Sequence, residues 1–242
     1  MFLVLDFPAF PLQVLQRLEA APPPGPAVVT EAAGKQSRVV AANEGARAAG
    51  IELGQSAARA RARRDNVQVY TRQPTAEAAA MDLLFALAYT HTPFLERTAP
   101  GLFTLELRGL KHGSPERLAH ALLGELCAHG FVPRLGLGPT PDLALFTARA
   151  TTAEQPLRLT SGDHSSFRTH HSSFHHLPLT AANPSDKLLG ILGDWGLHTL
   201  GDLTALLKGR VIAAHNNVFD IPFLDAEYAR AGSPIGLTRD MT

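Results

Sequence analysis

The sequence predicts an α+β fold, on three observations. Segments of strand and helix character alternate along most of the chain. A small unit with its own strands and helices is set off behind a proline-rich break. The longer helical segments carry apolar stripes suited to covering one face of a sheet.

The elements follow in order. Phe2 to Asp6 is an apolar run ending in a carboxylate and reads as a buried strand. Pro8 and Pro11 mark a turn, and residues 12–18 a short helix. Pro22-Pro23-Pro24-Gly25-Pro26 is a hard break. Residues 27–30 and 38–41 read as strands, and residues 43–49 as a helix closed by Gly50. Residues 56–64 form a second short helix rich in Ala and Arg, and residues 67–70 an alternating strand. Residues 75–89 are a helix that Thr75 is placed to cap, with Ala79, Leu83, Ala86 and Leu87 as its apolar side. A strand is expected at 102–107. Residues 114–128 are an amphipathic helix with Ser114 as cap and Leu118, Leu122 and Leu126 in register. A strand at 134–138 then leads into a helix at 141–150.

Residues 151–180 are a polar connector. Within it His164-Ser165-Ser166-Phe167 recurs as His171-Ser172-Ser173-Phe174, and His164, His170, His171, His175 and His176 crowd together. Such a tract can bind metal, but nothing in the pattern supplies the supporting shell of a defined site, and it reads as a flexible linker. Residues 185–207 return to helix, with Leu188, Leu189, Leu192 and Trp195 on one side. Residues 196–203 form a turn into a second helix, with Thr199 as N-cap.

Composition narrows the function classes. A 45% apolar and 18% charged chain builds an ordinary core. Its net charge of zero argues against a general polyanion binder. The charge is unevenly spread, however. Lys35, Arg38, Arg47, Arg59, Arg61, Arg63, Arg64 and Arg72 face only Glu44, Glu52 and Asp65 over the same stretch. Such a patch meets phosphates, or, in its plainer reading, is a solvated helix face. The single Cys127 excludes an internal disulfide and fits a reducing cytoplasm. No apolar run approaches the ~18 residues of a membrane span, and the run 1–5 is too short for a signal peptide.

Five stretches carry a resemblance jointly: Phe7-Pro8-Ala9-Phe10-Pro11-Leu12, Val28-Val29-Thr30-Glu31, Arg38-Val39-Val40-Ala41-Ala42-Asn43, Ala46-Arg47-Ala48-Ala49-Gly50-Ile51 and Leu135-Gly136-Leu137-Gly138-Pro139-Thr140. In this order they resemble the Y-family of translesion DNA polymerases, and within it the ImuB branch of bacterial mutagenesis cassettes. The resemblance runs over residues 1–207. It implies a palm with a ferredoxin-like sheet and helices on one face (1–20 and 74–150), a small α/β fingers insert (21–73), the linker (151–180) and a helical thumb hairpin (181–208). By the same resemblance, the hairpin amides around Gly196 and Gly201 meet nucleic-acid phosphate.

The departures from the family pattern set the functional expectation. Asp6 falls where the family has its first metal carboxylate, Pro8 where the Asp-x-Asp pattern would continue, and Gly101 and Leu102 where it has an Asp-Glu pair. Without that pair, two-metal phosphoryl transfer loses its clamp. Glu44 replaces a triphosphate-contacting Tyr and Ala41 a hydroxyl, while Arg47 keeps the phosphate-contacting type. A carboxylate facing a triphosphate is repulsive unless an ion bridges them. The resemblance therefore implies a non-catalytic, DNA-binding accessory factor in translesion synthesis and SOS mutagenesis. Its contacts would be Lys35, Arg38, Arg47, Arg59, Arg61, Arg63 and Arg64 with Gly196 and Gly201. Its partners would be DNA, a C-family error-prone polymerase, a RecA-like cassette protein and the sliding clamp, in a bacterial cytoplasm at the nucleoid, with no cofactor and no membrane.

A second resemblance covers residues 209–242. Gly209-Arg210-Val211-Ile212-Ala213-Ala214-His215-Asn216-Asn217-Val218-Phe219-Asp220-Ile221-Pro222-Phe223-Leu224 is similar to the second motif of DEDD-type 3′–5′ exonucleases, a βα fragment in which His215, Asn216 and Asp220 match. It offers an alternative: an exonuclease using Asp6, Asp220 and Asp240 with Mg²⁺. That chemistry needs a glutamate where Pro8 stands, and a general base the chain does not supply. Active nucleotidyl transfer, also Mg²⁺-dependent, is the third reading.

Overall fold

A computed structural model describes residues 1–108, 114–152, 155–159 and 175–207. The order is β1 (Phe2–Asp6), α1 (Phe10–Gln16), β2 (Ala27–Thr30), β3 (Val39–Ala42), α2 (Glu44–Ala48), α3 (Ala57–Arg63), β4 (Gln68–Thr71), α4 (Pro74–Tyr89), β5 (Leu95–Ala99), β6 (Leu102–Glu106), α5 (Pro115–Ala128), β7 (Arg134–Gly138), α6 (Pro141–Arg149), β8 (Leu157–Leu159), a 3-10 turn (Leu179–Ala182), α7 (Asp186–Asp194) and α8 (Leu200–Leu207). This is the expected mixed α+β fold. A five-stranded sheet has the order β5-β6-β1-β7-β8, and a three-stranded sheet the order β3-β2-β4. No helix among the described residues is long and apolar enough to cross a membrane.

Two compact units divide the chain, and β1 and β6 carry residues of both. The first comprises Met1–Leu5, Thr104–Ala119 and Arg134–Thr242. In its described part, β7 lies against α6 so closely that a Cβ on Gly136 would stand 2.1 Å from the Ala144 carbonyl oxygen. Only a strand without side chains at 136 and 138 lets the helix backbone approach this far. Thr140 caps α6, its hydroxyl accepting from the Leu143 N–H at 3.3 Å, with Pro141 at the first helical position. Leu143, Leu177, Leu179, Leu192 and Leu200 form the core that seats α7 and α8.

The second unit comprises Asp6–Phe103 and His120–Pro133. It contains the small sheet, in which β2 pairs antiparallel with β3 and parallel with β4. All four residues of β2 are buried, and period-two alternation splits them between two cores. Ala27 and Val29 join Leu12 and Leu15 of α1, while Val28 joins Ala46, Ile51 and Ala60. The Asn43 side chain fixes this module. Its carbonyl oxygen accepts from the Ala46 and Ala27 N–H groups at 2.9 and 3.0 Å, and its amide donates to the Gly25 carbonyl at 2.9 Å.

Some expectations are corrected. Thr75 does not cap α4: Gln73 is the N-cap, with Pro74 inside the first turn and no side-chain cap bond. The buried face of α4 is Glu77, Ala80, Leu84 and Ala88, whereas Ala79 and Ala86 are exposed and Leu83 and Leu87 half-buried. Alanine and leucine are spread around that helix, so apolarity alone does not pick a face. In α7 only Leu192 is buried, and Leu188 and Trp195 stand exposed. β5 and β8 were not expected. β5 is a sheet edge with mostly exposed residues, and β8 is a three-residue strand beside β7 inside the stretch read as linker. The His-rich repeat at 164–174 lies outside the described residues.

Candidate functional site

The end of β1 and the start of β6 meet where the sequence places a metal cradle. The Phe7 N–H donates to the Gly101 carbonyl at 2.9 Å, so Asp6, Gly101 and Leu102 are neighbours. Asp6 is half-buried, Gly101 is buried, and Leu102 is 9% exposed. Gly101 has φ +72°, a left-handed conformation that favours glycine. A Cβ there would stand 2.5 Å from Phe10 Cβ and 2.7 Å from its Cγ. Ala9, itself left-handed at φ 49°, turns the chain into α1 and sets Phe10 in this place.

An aromatic cluster continues from there. The Phe7 ring meets Phe10, Phe103 and Phe131 edge-on, at centroid separations of 6.4, 6.3 and 5.6 Å. The Arg17 guanidinium lies 4.6 Å from the Phe131 ring centroid. Hydrocarbon therefore fills the corner that the family resemblance assigns to carboxylates. Mg²⁺ takes oxygen ligands in near-octahedral geometry, held by carboxylates with help from substrate phosphates. Asp6 gives one carboxylate, while positions 101 and 102 give no side-chain oxygen, so these residues do not fit the ion pair of a two-metal site. Among the described residues no group of three or more His, Cys, Asp or Glu side chains is placed to hold a metal ion.

The basic residues are distributed unevenly. Lys35, Arg38, Arg47, Arg59, Arg61, Arg63 and Arg64 are all exposed. Arg72 is withdrawn from this set by Glu77, to which its Nε and Nη2 donate at 2.8 and 2.9 Å. That hydrogen-bonded pairing holds the guanidinium above its ordinary value. Glu44 is exposed in the first turn of α2, and Ala41 is buried in the module core.

The thumb-like turn behaves unlike its expectation. Its amides, from Gly196 to Leu203, are all occupied from within. Gly196 donates to the Gly193 carbonyl, Leu197 to Leu192, Leu200 to Leu177, Gly201 to His175 and Leu203 to Thr199, at 2.9–3.2 Å. The His198 and Thr199 N–H groups both donate to Asp202 Oδ2, at 3.0 and 2.8 Å, and the Asp202 N–H donates to the Thr199 hydroxyl at 3.1 Å. This is a capping box with aspartate at the far position. Those bonds, from His198 first and then Thr199, hold the Asp202 carboxyl below the usual carboxylate range. Gly196 and Gly201 therefore offer no free amide to a phosphate. A Cβ on Gly201 would meet the His175 carbonyl oxygen at 2.7 Å, so this glycine serves close packing. Sequence reasoning missed Asp202, although its spacing from Thr199 is a legible capping signal. It also missed the role of Phe10, which no local pattern announces. His215, Asn216, Asp220 and Asp240 lie outside the described residues.

Comparison with known proteins places this geometry. The sequence profile of the impB/mucB/samB family matches residues 5–149, more than half of the chain. The fold is similar to that of DinB from Sulfolobus solfataricus, with TM-score 0.71 and 20% identity over 85% of this chain and 60% of that one. It is similar also to Dbh DNA polymerase in an insertion ternary complex, with TM-score 0.68 and 18% identity over 96% of this chain and 64% of that one. A DinB family error-prone DNA polymerase from Sulfolobus solfataricus gives TM-score 0.64 and 19% identity over 85% of this chain and 59% of that one. The chain thus spans about three-fifths of the length of these structures. No curated protein sequence matches it.

Proposed function

The chain belongs to the impB/mucB/samB family, and from that premise we propose that it is a non-catalytic, DNA-binding accessory factor of translesion synthesis, of the ImuB type. The corner formed by Asp6, Gly101 and Leu102 carries the reading. A phosphoryl-transfer site stabilises its attacking and leaving oxygens with ions held by several carboxylates. This corner has one carboxylate, and Phe10 stands where a second side chain would project. Exposed guanidinium groups in the β2–β4 module support retention of nucleic-acid binding. By the ImuB resemblance, its partners are a C-family error-prone polymerase, a RecA-like cassette protein and the sliding clamp, each open to test by co-purification with the tagged full chain.

Two measurements on one preparation test the function. Fluorescence anisotropy with labelled primer–template DNA should show weak binding that fades as salt rises. Primer extension with Mg²⁺ or Mn²⁺ and all four dNTPs should show no product above the protein-free control. Template-directed extension that vanishes in Asp6→Ala would overturn the proposal.

A further inference from the structure

Resting on that DNA-binding reading, we infer that the phosphate-contacting surface is an arginine ridge on α3 together with the β2–β3 turn, and that the thumb-like turn contacts no phosphate. The ridge is built from the helix outward. Ala57 and Ala60 are the buried residues of α3, and these small side chains seat the helix in the module core. Arg59, Arg61 and Arg63 then project to solvent, followed by Arg64 at the C-cap. The β2–β3 turn is tied to the same helix. The Ala57 N–H donates to the Ser37 carbonyl and the Ala58 N–H to the Lys35 carbonyl, each at 2.9 Å. Arg38 Nη1 donates to the Gly54 carbonyl at 2.8 Å. Lys35 and Arg38 are thereby brought beside the arginines. The ion pairs of the described residues, Arg72–Glu77, His91–Glu125, Arg97–Asp82 and Arg108–Glu106, involve none of these cations.

The two surfaces carry opposite charge and opposite hydrogen-bond supply. At the turn into α8 every amide is occupied, and the Asp202 carboxylate sits where an anion would have to bind. On α3 the arginines are exposed, and no ion pair among the described residues engages them. A seven-residue helix is about 10 Å long, which spans about three phosphates of one strand at ~3.4 Å each. The bound chemistry is therefore a polyanionic backbone, and base sequence is not read.

Anisotropy titrations of labelled primer–template DNA over a range of NaCl concentrations test the assignment with the full chain. In Arg59→Gln/Arg61→Gln/Arg63→Gln/Arg64→Gln, the slope of log K against log[salt] should shrink by about 3, with affinity at low salt down tenfold or more. The pairs Arg59→Gln/Arg63→Gln and Arg61→Gln/Arg64→Gln should each lose about half of that slope change, which guards against a folding defect in the quadruple variant. His198→Glu adds an acid to the thumb-like turn and should leave affinity within about twofold, since a turn that touches no phosphate acts on DNA only through screened charge. Wild-type slope in both arginine pairs, or a tenfold loss in His198→Glu, overturns the assignment while DNA binding stands. No binding by the unaltered chain at low salt removes the DNA-binding reading, and this assignment with it.

Discussion

Two helices in this molecule start alike and end up with opposite surfaces. α3 and α8 each have a hydroxyl cap, Ser56 Oγ accepting from the Arg59 N–H and Thr199 Oγ1 from the Asp202 N–H. Each also donates early amides to loop carbonyls, α3 to Ser37 and Lys35, α8 to Leu177 and His175. The backbone solution is shared, so backbone geometry does not decide what either end attracts. Side chains decide it: arginines line α3, and an aspartate folds back onto the start of α8. A helix N-terminus becomes an anion site only when its donors are unspent and no resident carboxylate competes.

The strongest way to break the comparison is to remove the frame that seats one of the helices. Gly136→Ala in the unit containing α8 forces a Cβ into the α6 backbone, and overpacking of this kind costs about 3 kcal/mol. A melting experiment should find Tm lower by roughly 10 °C. In the unit containing α3, Gly101→Ala meets both the left-handed backbone and Phe10, and should cost about 2 kcal/mol. Phe10→Ala alone should cost about 3–5 kcal/mol. If the clash is real, the double variant loses at least about 1 kcal/mol less than the sum, as read from denaturant titrations. Additive losses would place the whole penalty of Gly101→Ala in the backbone.

The caps sharpen the comparison at a smaller scale. Ser56→Ala and Thr199→Ala should each cost about 1 kcal/mol in the same titration, because both hydroxyls do the same job. The last test separates the two helices by pH. A carboxyl held low in the folded chain contributes stability above its unfolded value of about 3.9 and loses it as pH falls through the folded value. Protection of the His198 and Thr199 amides, measured against their intrinsic exchange at each pH, should therefore fall on acidification below about pH 4, and in Asp202→Asn this acid sensitivity should be absent. Amides at the start of α3 serve as the control, having backbone carbonyls and a hydroxyl as acceptors.

Much of the fold could be read because its signals are local. Ser114 and Thr199, legible as caps, both form the cap bond, and Asn43, Ser56, Thr140 and Ser185 cap helices whose starts the sequence marks. β5 was not readable because Glu96, Arg97 and Thr98 leave no apolar run; its strand character comes from its place at the sheet edge. The buried face of α4 includes Glu77, whose burial depends on its bond to Arg72 and not on any pattern within the helix. At the candidate site, the meeting of Asp6 with Gly101 and Leu102 followed from the order of strands in a resembling family. The position of Phe10 did not, since it is set by the Ala9 backbone and by contacts far apart in sequence.

Phe10 also fixes a direction of travel for this chain through sequence space. An acid acquired at position 101 would strike the ring before it reached any ion. The first mutational step toward a metal centre would thus damage folding and confer no activity. Release of the ring would have to come earlier, at the expense of the aromatic cluster that supports this end of the sheet. Each single step costs packing, so a side chain at 101 and release of the ring are coupled changes.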